Sequence, residues 1–127
     1  MNIFGIGTDI VSIDRIKNSL KNKNFLKRIY NEKEIFKCKK IINSKNCFAK
    51  RFAAKEAFSK ALGTGISDGI NFNEILILNK KSGKPYINTI GRTKRILNKK
   101  FKGKKAKVSL SLSDEKKYAV AFVTISL

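Results

Sequence analysis

The chain has 127 residues, is 42% hydrophobic, carries a formal net charge of +20 and contains no histidine. That length makes a single domain over 1–127 the expectation and allows a real core. The missing imidazole excludes Ser-His-Asp and Cys-His nucleophile systems and any zinc site that needs histidine, so catalysis must draw on carboxylates, lysines, hydroxyls or a hard metal.

Residues 2–11, NIFGIGTDIV, read as a strand whose apolar run predicts burial on both faces. Gly5 and Gly7 point to close backbone approach within it. Asp9 interrupts the apolar run, and two readings are open. It is either an interior carboxylate that is paired, protonated or metal-bound, or a strand-end carboxylate facing water. Ile13, Ile16 and Leu20 predict a short helix capped by Ser12, with Arg15 on its polar side. A second short helix is expected over 25–30 with Arg28 exposed. A third runs from Asn31 to about Ile42, opened by the capping-box pair Asn31 and Glu34. Asn43 to Asn46 read as a turn.

The clearest helix is FAKRFAAKEAFSKALGTGI, Phe48 to Ile66. Ala49, Ala53, Ala54, Ala57 and Ala61 favour it; Ser44 is a candidate N-cap, and Gly63 ends it. At about 100° per residue, Cys47, Phe48, Phe52, Phe58 and Leu62 share a core-facing arc. Another arc places Glu56 and Lys60 among alanines, where a neighbouring element or ligand can approach closely. The alternative for that pair is a solvated helix ion pair. Arg51 and Lys55 interrupt the apolar arc, where snorkelling stems are the plain reading. Gly63-Thr64-Gly65 supplies backbone suited to contact with phosphate.

Beyond it, 73–78 (NEILIL) reads as a strand, 79–84 as a hairpin turn and 85–89 as the return strand. Residues 91–102 form a basic helix, VSLSLS at 108–113 a half-buried strand, and 118–126 a last strand. The fold class is α+β: a small, mostly antiparallel sheet packed against a long central helix and shorter helices. Cys38 and Cys47 match no metal or redox spacing and read as reduced thiols, with Cys47 in the core. With no apolar run near membrane-spanning length and no charged leader at the start, a cytoplasmic protein without a membrane span is expected.

The charge calls for a polyanionic partner: nucleic acid, anionic lipid, a phosphate-rich cofactor or an acidic protein. Lysine here accompanies abundant asparagine and isoleucine, the product of an AT-rich coding bias, so part of the charge belongs to solvated surface. A basic nucleic-acid-binding module is the alternative function. Dispersed basic residues and the lack of an aromatic-basic strand count against it. Two carboxylates, Lys60, the glycine-threonine-glycine turn and the positive field together suit a magnesium-pyrophosphate site.

Three motifs, GIGTDIVSIDRI, FAKRFAAKEAFSKALGTGI and SLSDEKKYAVAFV, with a weaker fourth, GKPYI at Gly83 to Ile87, resemble the holo-[acyl carrier protein] synthases, small bacterial 4′-phosphopantetheinyl transferases. The resemblance spans essentially the whole chain. It implies transfer of 4′-phosphopantetheine from coenzyme A to a serine of apo-acyl carrier protein in fatty acid biosynthesis, with adenosine 3′,5′-bisphosphate as the other product. It also implies Asp9 and Glu56 as Mg²⁺ ligands, Lys60 near the pyrophosphate, and a homotrimer with sites at subunit interfaces. Arg15, with Arg28, is then expected to meet the acidic carrier protein. Arg51, Lys55, Lys60, Gly63, Thr64, Gly65, Lys84 and Pro85 are expected around coenzyme A. Either a carboxylate or a metal-activated water would serve as base. One departure is Asp114, where many members carry histidine; a phosphate contact made by that histidine does not transfer.

Overall fold

The structure, a computed structural model, describes residues 2–63 and 69–127. In chain order it comprises β1 (Ile3–Ser12), α1 (Ile13–Ser19), α2 (Lys23–Ile29), α3 (Glu32–Lys39), α4 (Ser44–Leu62), a 3-10 turn (Phe72–Glu74), β2 (Ile75–Asn79), β3 (Pro85–Thr89), α5 (Gly91–Lys100), β4 (Lys107–Asp114) and β5 (Tyr118–Ser126). This is the expected α+β architecture, and its strands make two antiparallel sheets. One is three-stranded in the order β1-β5-β4; β2 and β3 form a separate hairpin. No helix among the described residues is long and apolar enough to cross a membrane.

Helix α4 is the axis of the molecule. It lies across one face of the three-stranded sheet, and the alternation of β1 explains how it gets so close. Gly5, Gly7, Asp9 and Val11 are paired with Ile125, Val123, Ala121 and Ala119 of β5, so they share the inner face. A Cβ on Gly5 would overlap the Ala61 carbonyl oxygen, and one on Gly7 that of Ala57. Two glycines opposite two alanines let helix and strand backbones touch. Ala53, Ala57, Phe58 and Leu62 then bury against Ile75, Ile77, Val123 and Ile125. A side chain such as Phe58, 1% exposed, contributes about 2–3 kcal/mol by leaving water. A second cluster packs Ile13, Ile16, Tyr30 and Phe48 beneath the short helices, with the Tyr30 hydroxyl donating to the Phe48 carbonyl at 2.8 Å.

The helix boundaries follow their caps. Ser12 accepts from the Arg15 amide, and Asn31 and Glu34 form the full capping box. Gly63 closes α4 in the left-handed conformation at φ 80°. The residues read as a turn before α4 are mostly its first turn, with Asn43 rather than Ser44 at the N-cap position. Asn73 and Glu74, the head of the expected NEILIL strand, instead belong to the 3-10 turn that begins at Phe72.

Two expectations are corrected. The outer face of β1 is not covered: Ile6 and Ile10 are 60% and 62% exposed. Only α4 supplies a layer, and it covers one side. Cys38 and Cys47 are not free thiols but are joined in a disulfide. The last turn of α3 and the first of α4 stand side by side, bringing their Cα atoms to 5.4 Å, a separation that a bridge spans.

Candidate active site

The close packing of α4 on β1 fixes where Asp9 goes. Being on the inner face two residues after Gly7, its carboxylate points to the helix and not to solvent; its side chain is 16% exposed. Glu56 comes off α4 beside it. Both line one cleft of about 380 Å³, together with Ser12, Arg15, Phe25 and Phe52. Phe25 and Phe52 form an apolar wall, with ring centroids 6.0 Å apart. The two carboxylates, distant in sequence, thus meet on rigid elements.

Lys60, one turn beyond Glu56, donates to Asp9 Oδ1 at 3.1 Å and to the Thr8 carbonyl at 3.0 Å. It is not spent on a solvated pair with Glu56. Its side chain remains 53% exposed, so the ammonium tip is open to a ligand. Glu56 is held above the ordinary carboxylate range, first by burial and then by repulsion from Asp9; Lys60 partly offsets this. Two like charges sharing a low-dielectric cleft favour a proton or a cation between them.

The donor set is oxygen only. Among the described residues no group of three or more histidine, cysteine, aspartate or glutamate side chains converges. A cation requiring a closed protein cage does not fit. Mg²⁺ does, because it accepts one or two carboxylates and fills its remaining positions with water and substrate phosphate.

The other expected residues divide. Arg15 is exposed at the rim of this cleft, whereas Arg28 of α2 is exposed but not in its lining. Gly63 lies at the end of α4; Thr64 and Gly65 fall outside the described residues. Arg51 lines a different cavity of about 470 Å³ with Lys37, Lys50, Asn79, Lys80 and Gly83, and the two cavities share no lining residue. Lys84, exposed, and Pro85 follow Gly83 on the β2–β3 hairpin. Arg51 is 4% exposed. It donates to Asn79 Oδ1 at 2.9 Å and to the Cys47 sulfur at 3.1 Å, and its Nε has no partner. Burial lowers its pKa below the usual guanidinium value, against the pull of Glu34 and Tyr30. One chain therefore does not bring all the expected coenzyme residues together.

Lys55 is a correction. Its side chain is fully buried, and its ammonium donates to Glu34 at 2.6 Å, to the Ile29 carbonyl at 2.7 Å and to the Phe72 carbonyl at 2.8 Å. All three of its donors are taken by the protein, so it has neither reach nor free donors for a coenzyme phosphate. Asp114, the departure, accepts from Asn46 at 2.7 Å and pairs with Lys50 at 3.5 Å, anchoring the end of β4 to the start of α4. Asn79 went unread in the sequence, and Glu34 was read there only as half of the α3 capping box, not as the acid that meets Lys55. The only trace of Glu34's role there is a lysine standing where a core prefers leucine, which implies a buried acid to meet it.

The family model of the 4′-phosphopantetheinyl transferase superfamily matches residues 5–123. A holo-[acyl-carrier-protein] synthase of Pelagibacter ubique is 51% identical over 98% of this chain and 98% of its own. Among solved structures, the holo-[acyl-carrier-protein] synthase of Neisseria meningitidis superposes with a TM-score of 0.87 at 40% identity, covering 99% of this chain and 100% of that one. The enzyme of Bacillus anthracis, in complex with CoA (3′,5′-ADP), gives 0.78 at 37% identity over 97% and 96% of the two chains.

Proposed function

We infer that this chain, which belongs to the 4′-phosphopantetheinyl transferase superfamily, acts as a holo-[acyl-carrier-protein] synthase: it transfers 4′-phosphopantetheine from coenzyme A to a serine of apo-acyl carrier protein and releases adenosine 3′,5′-bisphosphate. Similarity to synthases of that name over nearly the full length supports the reading. The observation that carries it to chemistry is the meeting of Asp9 and Glu56 in one cleft with Lys60 at its edge.

In the proposed site Asp9 and Glu56 would hold Mg²⁺. The ion, when bound, neutralises charge on the coenzyme's pyrophosphate oxygens. The exposed tip of Lys60 donates to the same phosphates and stabilises the negative charge that develops on the leaving bisphosphate. The carrier serine attacks the β-phosphate: its oxygen–phosphorus bond forms as the bond to the bridging oxygen breaks. A nearby base, a carboxylate or a water, takes the serine proton. The apolar wall of Phe25 and Phe52 keeps bulk water from competing with the serine.

Arg15, at the rim, and Arg28 present positive charge to an acidic carrier protein, which speeds encounter and makes it salt-dependent. Arg51, Lys37, Lys50 and Lys80 line the second cavity, whose one carboxylate, Asp114, is paired with Lys50; Lys84 and Pro85 follow its Gly83, and this cationic group suits the other phosphate of coenzyme A. Those groups belong to a separate cavity, so the complete site is assigned to the interface of a homotrimer, in which one protomer's carboxylates face its neighbour's arginine cavity. The exposed apolar outer face of β1 and β5 supports such an assembly: Ile6, Ile10, Tyr118 and Phe122 are between 45% and 62% exposed. The reaction is placed in the cytoplasm, in fatty acid biosynthesis.

Mass spectrometry of apo-acyl carrier protein incubated with this protein, coenzyme A and Mg²⁺ tests the reading. The added phosphopantetheine supports it. An unmodified carrier, beside tight binding of nucleic acid, would replace it with the alternative function.

A further inference from the structure

We propose that the buried Glu34–Lys55 pair is a positioning device for Glu56, setting the rotation of α4 so that the carboxylate meets Asp9. The proposal rests on the reading of Asp9 and Glu56 as a metal site.

Lys55 and Glu56 are consecutive on α4, about 100° apart around its axis. Whatever pins one side chain therefore sets the direction of the other. Lys55 is pinned from three separate segments: the end of α2 through the Ile29 carbonyl, the 3-10 turn through the Phe72 carbonyl, and α3 through Glu34. Glu34 is fixed in turn. Its Oε1 also accepts from the Asn31 amide at 3.0 Å, and its Oε2 accepts from the Ile77 amide of β2 at 3.1 Å. Both side chains are fully buried, and every donor of the ammonium is used. A wholly buried ion pair is a poor source of net stability, since desolvation offsets its attraction; apolar residues of the same volume would hold the core as well. What the pair provides is direction.

The opposite side of the helix has no slack, because Gly5 and Gly7 meet the Ala61 and Ala57 carbonyls. Sliding contact there resists translation but not a small roll about the helix axis. A roll of about 10° would move a carboxylate roughly 1 Å. Misplacement on that scale weakens both metal binding and catalysis. Hydrogen bonds behind a ligand characteristically control its metal affinity by roughly 10–100-fold. Here the outer support acts through the helix, one residue from the ligand.

The test compares wild type with Glu34→Gln and Lys55→Met, well below their melting temperatures. It measures kcat, the KM for coenzyme A, and direct Mn²⁺ binding by electron paramagnetic resonance. Glu34→Gln keeps the shape of the network, so it provides a folded variant if Lys55→Met fails to fold. The expected result for folded Glu34→Gln is Mn²⁺ affinity and kcat each lowered by roughly tenfold, with the coenzyme KM within about twofold of wild type. A variant that melts earlier but keeps wild-type Mn²⁺ affinity and kcat would show the pair to be merely structural and overturn the proposal. Glu56→Ala runs alongside. If it too keeps wild-type Mn²⁺ affinity, the metal reading itself fails; if it loses affinity while Glu34→Gln does not, only the positioning proposal fails.

Discussion

The ammonium of Lys60 crosses from α4 to β1 and meets the Asp9 carboxylate at 3.1 Å. The lysine half of the pair is largely exposed, so the contact contributes at most about 1 kcal/mol to folding. Its role is to hold a donor at the mouth of the cleft. Lys60→Ala should lower kcat by about 10²–10³-fold while changing the urea-unfolding free energy by less than about 1 kcal/mol. A large loss of stability with activity per folded molecule preserved would make Lys60 a structural residue.

Glu56 gives a pH prediction with a definite sign. Its pKa is raised in the folded state by burial and by Asp9. A raised carboxylate pKa means that stability is full below the unfolded value and is lost as pH rises through the folded one. Glu56 thus opposes folding of the metal-free protein at neutral pH. Glu56→Gln should melt slightly higher than wild type at pH 7, by less than about 1 kcal/mol given the partial exposure. The difference should vanish at pH values below the unfolded carboxylate range. A Glu56→Gln protein that melts lower at pH 7 would contradict the assigned environment.

Gly7 is the hinge between fold and site. An added methyl would strike the Ala57 carbonyl, which is helix backbone and cannot step aside. Gly7→Ala should destabilise by about 3 kcal/mol, measured by denaturant unfolding. Slower transfer should follow in the protein that remains folded, since Asp9 is two residues further along the same face. Unchanged stability would mean that α4 and β1 are less tightly apposed.

Much of this was legible in the chain, for identifiable reasons. Helix α4 was readable from its alanines and Gly63, and the Asp9 strand from its apolar run. Gly5 and Gly7 were readable as sites of close approach because nothing else favours glycine in a strand. Other features were not, because they depend on what lies across from a residue. The spacing of β1 cannot show that only one of its faces has a covering layer. Cys38 and Cys47 have a meaningless separation until α3 and α4 fold back on each other. Lys55 looks like a phosphate ligand until the Glu34 carboxylate and two carbonyls are found around it. Arg51 was readable as an unusual core residue, but not as one facing a cavity apart from Asp9.

The exposed sheet face makes a prediction about assembly. Ile6 of β1 and Phe122 of β5 project from the sheet away from α4 and line neither cavity, so charges placed there leave the protomer's own site untouched. If the proposed homotrimer forms through this face, Ile6→Lys with Phe122→Lys should give folded monomers by light scattering. Transfer activity should be lost with it, because the carboxylate cleft and the arginine cavity would no longer face each other. Full activity in a monomer would place the whole site within one chain.

The most direct test of the paired-carboxylate site is carrier loading by metal-stripped protein, followed by mass spectrometry. Wild type should leave apo-acyl carrier protein unmodified until Mg²⁺ is restored, then convert it fully. Asp9→Ala and Glu56→Ala, folded by circular dichroism, should show loading slowed by at least about 10²-fold at the same Mg²⁺ concentration. Wild-type loading rates in either variant, or undiminished loading by wild type in excess chelator, would contradict the account.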